Sequence, residues 1–257
     1  MMRFLPWAYL LVAFVFIYLP VGVLVLFSFQ SGGLPVPPFN GPSLRWYETI
    51  LSDPDLMGAL RNSLIVALGS SAVAVTLGFL AAYGLARHIL PGSALMRGLL
   101  IAPLTVSYLI VGLGLLIVLT RTGLGLSLWT AAIGHVVINL PLAFAIIYAS
   151  MGAQQQNAER AARDLGASEM KVIVLITVPM LLPSIAAAFF LSVTLSWDEF
   201  IISFLLTRFD VTLPVEIWSL LRSGLSPQLN AIGSFVFLIS VAVVLLLELV
   251  VFRRTRP

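Results

Sequence analysis

The sequence predicts an all-α integral membrane protein with six transmembrane helices and both termini on the cytoplasmic side. Three observations carry that prediction. The 257 residues are 60% hydrophobic and only 10% charged, with a mean hydropathy of +1.07; a soluble domain of this size cannot hide so much apolar surface. Six apolar runs are each long enough to cross a hydrocarbon core of roughly 30 Å, which takes about 20 helical residues. The runs are continuous rather than alternating, which selects helices over barrel strands, and residues 62–86, 98–120 and 223–247 contain no charged side chain at all.

The first run, Trp7–Phe29, is too long for the apolar core of a signal peptide, and no small-x-small cleavage site follows it cleanly. It reads as a retained helix. Trp7, Tyr9, Trp46 and Tyr47 belong near membrane interfaces. Residues 30–59 are rich in Pro and Gly (Gly32, Gly33, Pro35, Pro37, Pro38, Gly41, Pro42), which predicts an irregular outer loop with a short surface helix at Leu44–Leu51. The second run, Leu60–Ala86, carries the small residues Ala74, Gly78 and Ala82 on one stripe; these allow close helix approach, inside the chain or at a subunit interface. Gly98–Leu119 and Leu128–Ala149 follow. In the latter, Asn139 and Pro141 interrupt the hydrogen-bond ladder, as a bend or hinge or as simple packing, and His135 reads as a hydrogen-bonded packing residue rather than a gate. The fifth and sixth runs are Leu181–Leu206 and Ile232–Phe252, with Pro214 and Pro227 punctuating the segment between them. Glu248 lies near the end of the last run, within reach of Arg253 or Arg254, and is assigned no function.

Orientation follows from Lys and Arg. With the N-terminus inside, the inner segments hold Arg3, Arg87, Arg97, Arg160, Arg163, Lys171, Arg253, Arg254 and Arg256; the outer ones hold Arg45, Arg61, Arg121, Arg208 and Arg222. The excess is cytoplasmic, and it places residues 150–178 there too.

Composition excludes several classes. Without Cys there is no disulfide framework, iron–sulfur site or cysteine nucleophile. His88 and His135 lie far apart, without carboxylates at ligand spacing, so no metal site is expected. A net charge of +3 is too small to argue for nucleic acid as a partner. No Gly-x-x-x-x-Gly-Lys-[Ser/Thr] phosphate loop is present. An intramembrane hydrolase would need a Ser with a base, two facing Asp or a zinc motif, and the sequence offers none; no catalytic residue is assigned.

The polar segment 154–172 stands out among the apolar runs. Glu159 and Arg163, and Arg160 and Asp164, are spaced i,i+4 and can support a helix. Ala161, Ala162, Leu165 and Met170 give it a modest apolar face. Gly166 would stop or bend that helix, and Ser168 could cap the next one. Taken alone, the segment is a solvated connecting helix.

Asp198 and Glu199 are the sharpest intramembrane feature. A carboxylate at mid-helix costs roughly 2.5–3.5 kcal/mol on insertion scales, so each should face protein, water or a cation. Glu199 falls on a helical stripe with Ser192, Ser196 and Ser203, continued by Thr207. One reading makes this stripe line a solute pathway in which Glu199 attracts an ammonium while Asp198 faces a neighbouring helix or subunit. The other makes both carboxylates structural, paired or protonated.

The segment resembles the EAA loop of binding-protein-dependent ABC importer permeases: Glu-Ala-Ala, three residues, Gly, nine residues, Ile, one residue, Leu-Pro. Here Arg160-Ala161-Ala162, Gly166, Ile176 and Val178-Pro179 keep every spacing, with Arg160 where the family usually has Glu, Val178 where it has Leu, and Glu159 one residue early. Arg61-Asn62-Ser63-Leu64, Asn139-Leu140-Pro141, Asp164-Leu165-Gly166-Ala167-Ser168, Leu195-Ser196-Trp197-Asp198-Glu199-Phe200 and the Leu213-Pro214…Ile217-Trp218…Ser226-Pro227 stretch resemble the polyamine (spermidine/putrescine) permeases, the second permease subunit in particular.

The resemblance implies a type I ABC importer transmembrane domain over 57–252, preceded by the first helix and outer loop over 1–56 and followed by a cytoplasmic tail, 253–257. It implies a coupling loop over 154–179 in which Glu159, Arg160, Ala161, Ala162, Asp164 and Gly166 work against an ATPase. Glu199, Asp198, Ser196, Ser192, Ser203 and Tyr108 are the pathway candidates. The implied partners are a homologous permease subunit in a heterodimer, two copies of a cytoplasmic ABC ATPase that hold the ATP and magnesium, and a periplasmic or extracellular solute-binding protein, all at a bacterial inner membrane. This chain itself would bind no cofactor. In the third run, polyamine-type permeases often have Pro followed by an acid, where this chain has Ser107-Tyr108 downstream of Pro103. Tyr108 could hold an ammonium by cation–π contact, but the missing acid keeps an amino acid-like amine, an aminophosphonate or ferric ion open as alternatives. An ion-coupled secondary transporter is the competing class; it calls for inverted repeats, broken helices or a filter, none of them clear in the sequence.

Overall fold

The structure, a computed structural model, describes residues 4–224 and 226–253, without the side chains of 4–6, 243, 244 and 246–253. Of the charges used for orientation, Arg3, Arg254 and Arg256 lie outside the described residues, as do the side chains of Arg253 and Glu248. Among the described residues the chain is helical, and its single β-type pairing is an isolated antiparallel bridge between Gln30 and Pro42. It divides into two compact units, Met1–Gly58 with Glu216–Leu249, and Ala59–Val215 with Val250–Pro257.

The first unit holds α1 (Phe4–Ser28), α2 (Arg45–Ser52), the opening of α3 (Pro54–Arg87), most of α11 (Leu213–Ser223) and most of α12 (Pro227–Arg253). The Pro- and Gly-rich loop is irregular, as its composition requires, and it is ordered around one buried side chain. Gln30 donates from Nε2 to the carbonyl of Pro38 at 3.0 Å and accepts the Asn40 N–H at 2.8 Å, while its own carbonyl takes the Trp46 indole N–H at 2.7 Å. Tyr47 adds a hydroxyl contact to Ser28 at 2.7 Å. The expected surface helix forms as α2, one residue later at each end. Gly233 of α12 admits Leu24 of α1: a Cβ there would lie 3.0 Å from Leu24 Cδ1.

The second unit contains the rest of α3, α4 (Ser93–Ile101), α5 (Tyr108–Arg121), α6 (Leu128–Ser150), α7 (Ala153–Asp164), α8 (Glu169–Val172), α9 (Val178–Trp197) and α10 (Ile201–Leu206). One core joins Val75, Phe79 and Ala82 of α3 to Ala143, Phe144 and Ile147 of α6 and to Leu181 and Ala188 of α9. The small-residue stripe serves this internal contact. A Cβ on Gly78 would come within 2.8 Å of the Phe144 backbone nitrogen. A second core packs Leu119, Ala131 and Ile138 around Ile202 and Leu206 of α10.

Four helical stretches are individually long and apolar enough to cross a membrane: Trp7–Ser28, Pro54–Arg87, Leu128–Ser150 and Glu169–Trp197. The third expected span is not one continuous helix. A 3₁₀ turn at Ala102–Thr105, containing Pro103, ends its first half, and Ser107 restarts the chain by accepting the Leu109 N–H; the two halves meet at 106°. Counted as one span, the pair makes five; α12 adds the shorter apolar helix Pro227–Ala242. The fifth span also differs from the expected Leu181–Leu206. It begins at Glu169, passes through a π-helical turn at Ile173–Thr177 and stops at Trp197. The wide turn sits just before Pro179, whose ring lacks an N–H and crowds the carbonyl four residues back. By contrast, α6 continues through Asn139 and Pro141 as one helix, with both residues buried against neighbours.

Candidate functional site: a clamped polar loop and a broken helix

α7 is opened by Gln155, whose Oε1 accepts the Gly152 N–H at 2.8 Å while its Nε2 donates to the Ser150 carbonyl at 3.1 Å. It is closed by Gly166 in the left-handed conformation, φ 84°. The Gly166 N–H reaches the Arg163 carbonyl at 2.8 Å and the Ala167 N–H the Ala162 carbonyl at 3.0 Å. These are the two bonds of a Schellman cap, and they need the positive φ that Gly supplies cheaply. Ser168 precedes α8 but makes no side-chain cap bond, contrary to the expectation from its position.

The helix has an inward and an outward face. The i,i+4 pairs expected from spacing do not form. Glu159 instead turns inward and is fully buried. It takes Arg87 of α3 side-on, Nε to Oε2 at 2.7 Å and Nη2 to Oε1 at 3.1 Å. The Thr177 hydroxyl donates to the same Oε1 at 2.9 Å. Arg163 pairs with Glu169, with both nitrogen–oxygen distances at 2.9 Å, and its Nη2 also reaches the Tyr83 hydroxyl at 3.2 Å. Tyr83 in turn hydrogen-bonds Glu169. The hydrogen bonds to Glu169 hold the Arg163 guanidinium above its ordinary value. Arg160, Ala161, Asp164 and Gly166 are exposed and Ala162 is half-buried. No ion pair joins Arg160 to Asp164. Leu165 and Met170 are 89% and 69% exposed, an apolar rim on an otherwise polar loop.

The pathway candidates separate. α9 ends at Trp197 and α10 starts at Ile201, so the stripe drawn for one continuous helix is interrupted. Ser196 and Ser203 still share a partner: His135 Nδ1 lies 2.6 Å from Ser196 Oγ and Nε2 lies 2.9 Å from Ser203 Oγ, with Ser70 Oγ 3.3 Å from Ser196 Oγ. Ser192, Ser196, Ser203 and His135 are buried within this one chain. Ser196, Ser203 and His135 form an internal brace, while the Ser192 hydroxyl is buried without a hydrogen-bond partner among the described residues. Glu199 is buried as well, and its Oε1 accepts the Ile202 N–H at 3.0 Å, which satisfies an orphan donor at the start of α10. Asp198, at the break itself, is exposed. Tyr108 is half-buried at the start of α5, after the other break, and packs on the core around Ile202. α5 and α10, the segments that follow the two breaks, pack together where Gly112 leaves room for Leu205.

Sequence reasoning missed Arg87, Tyr83 and Thr177 as anchors of the polar loop. Arg87 and Tyr83 are one helical turn apart, as are Glu159 and Arg163, and that matching spacing is the signal the sequence held. It also missed Ser70, for which no local pattern exists.

A family described as the binding-protein-dependent transport system inner membrane component matches residues 74–256. The chain belongs to this family. As a member it is a multi-pass inner-membrane protein and a permease subunit of an ABC importer. It is 34% identical over 244 residues to the putrescine transport system permease protein PotI of Escherichia coli K12, covering 90% of this chain and 85% of the relative. It is 27% identical over 256 residues to the spermidine/putrescine transport system permease protein PotC of the same strain, covering 99% and 96%. Among solved structures, a subunit of a bacterial alginate ABC transporter in complex with its pentasaccharide-bound periplasmic protein superposes with a TM-score of 0.77 at 17% identity, covering 99% of this chain and 96% of that one. A chain of an amino acid ABC transporter with histidines matches at 0.61, again at 17% identity, over 81% and 98%. At such identities the structural likeness speaks for the shared fold.

Proposed function

We propose that this permease subunit forms half of the translocation pathway of an ATP-driven importer for a polyamine such as putrescine or spermidine. The observation that carries the substrate reading is the 34% identity with a putrescine permease subunit across 90% of the chain. The exposed carboxylate of Asp198 at the helix break supports it, because a cation is the solute that such a group attracts. The replacement of Pro and an acid by Ser107 and Tyr108 favours a second reading, a less cationic solute such as an amino acid-like amine or an aminophosphonate; ferric ion is a further alternative for the same machinery.

In this reading the chain crosses the bilayer six times, with the bent α4–α5 pair as one crossing, α12 as the last and both termini in the cytoplasm. Residues 57–252 form the transporter domain, 1–56 supply the first helix and outer loop, and 253–257 form the tail. A homologous permease subunit, two cytoplasmic ATPases carrying ATP and magnesium, and a solute-binding protein complete the machine. Arg160, Ala161, Ala162, Asp164 and Gly166 present the docking face to the ATPase, with Leu165 and Met170 as its apolar contacts, while Glu159 acts from inside the loop. Asp198 and Tyr108 are the pathway-facing groups; Glu199, Ser196 and Ser203 hold the broken helix that presents them.

The test is reconstitution of the chain with its genomic partners in vesicles loaded with ATP. Uptake of labelled putrescine or spermidine that stops without ATP or without the binding protein is expected. ATP-dependent uptake of an amino acid, an aminophosphonate or ferric ion but of neither polyamine would remove the substrate assignment. Uptake by the chain alone under an ion gradient would remove the importer reading.

A further inference from the structure

α3 is bonded at two levels within the second unit. Near Arg87 it meets the polar loop twice, through the buried Arg87–Glu159 pair and through Tyr83 with Arg163 and Glu169. About 25 residues earlier, a helical rise of about 37 Å, it meets the segment after α10. Ser63 Oγ accepts the Leu213 N–H at 2.8 Å, and Asn62 Nδ2 donates to the Val211 carbonyl at 3.0 Å. Both levels use directional bonds. Ser63 is buried, and Arg87 and Glu159 are 7% and 0% exposed, so water cannot readily replace their partners. Between the levels, the close contact at Gly78 holds α3 against α6. Chains of packed side chains, hydrogen bonds and rigid helices of this kind are the physical means by which distant sites can be coupled.

We propose that α3 is a rod latched to the ATPase-facing loop by Arg87 and Glu159 and to the opposite loop by Asn62 and Ser63, so that displacement of α7 is delivered to Val211–Leu213 on the far side of the membrane. The proposal rests on the importer reading above and adds its internal linkage. Glu159 is then a positioning residue and not a contact to the ATPase.

The experiment uses the complete complex in lipid vesicles with its binding protein, reading solute imported per ATP hydrolysed and the stimulation of hydrolysis by loaded binding protein. Wild-type activity establishes the importer reading first; a wild-type complex that neither hydrolyses ATP nor imports solute would sink that reading and, with it, the rod. Asn62→Ala combined with Ser63→Ala touches no ATPase surface and is expected to lower stimulation by binding protein at least fivefold with basal hydrolysis unchanged. Glu159→Gln is expected to lower solute per ATP by a similar factor while the ATPase still co-purifies. Stimulation within twofold of wild type in the Asn62/Ser63 variant overturns the proposal, whatever Glu159→Gln does. If Glu159→Gln fails to assemble, the Asn62/Ser63 variant decides alone.

Discussion

His135 Nδ1 lies 2.6 Å from Ser196 Oγ, on the last turn of α9, while the other ring nitrogen holds Ser203 on α10. One imidazole thus ties together the two sides of a helix break. The break frees backbone donors and acceptors inside an apolar setting, where each needs a partner. Glu199 satisfies one of them, and His135 fixes the relative position of the two segments.

His135→Ala should therefore loosen the break. Leaving Ser196 and Ser203 short of a buried partner costs about 1–3 kcal/mol, read as a lower unfolding midpoint in detergent. His135→Gln, which can reach one serine, should recover part of the loss. Equal stability in all three proteins would show that the ring is dispensable.

The contact at Gly78 makes a sharper comparison within one helix. Gly78→Val must push α3 away from the Phe144 backbone and should destabilise by about 1–3 kcal/mol. Gly84→Ala adds a Cβ with nothing within 4 Å and should be neutral, or stabilising by up to about 1 kcal/mol from helix propensity. Chemical unfolding of both variants against wild type measures the difference.

The two neighbouring carboxylates should behave differently in transport. Asp198→Asn is expected to raise the KM for a polyamine about tenfold with the complex intact. Glu199→Gln keeps a cap acceptor for Ile202 and should change KM less than threefold, whereas Glu199→Leu loses the cap, at about 1 kcal/mol. Concentration-dependent uptake by the three variants separates pathway from framework.

Glu216 offers a pH test. Burial pushes its carboxyl above the ordinary value of 4.5, with Asp55 and Asp53 adding to the rise. An acid whose folded-state value is raised penalises the folded protein once the unfolded chain ionises, so stability falls as pH climbs above about 4.5. Glu216→Gln should raise the unfolding temperature at pH 7 and leave it unchanged at pH 4. A gain of the same size at both pH values would exclude ionisation as its source.

Much of the fold was legible because apolar runs long enough to span a bilayer leave few alternatives to helix. Gly166 was legible as a stop because a positive φ at a helix end selects glycine. The break at Asp198–Phe200 was not, since Leu195–Leu206 keeps helical periodicity and carries no Pro or Gly. Nor was the partner of Glu159. Spacing along one helix offered Arg163, but Arg87, distant in sequence, reaches the same carboxylate in a dry site where its fork geometry has no competition from water. The serine stripe is legible as helical spacing, but only the packing of α6 reveals that Ser196 and Ser203 share a histidine of the same chain.

α1 has little such company. Ser28 is the only buried residue between Trp7 and Ser28, and a helix of that length rises about 33 Å, close to the thickness of a typical hydrocarbon core. Its own chain braces it so little that its lean answers to what surrounds it in the assembled complex, lipid or the second permease subunit. Moving the protein from a thick bilayer to a thin one should therefore change the tilt of this helix.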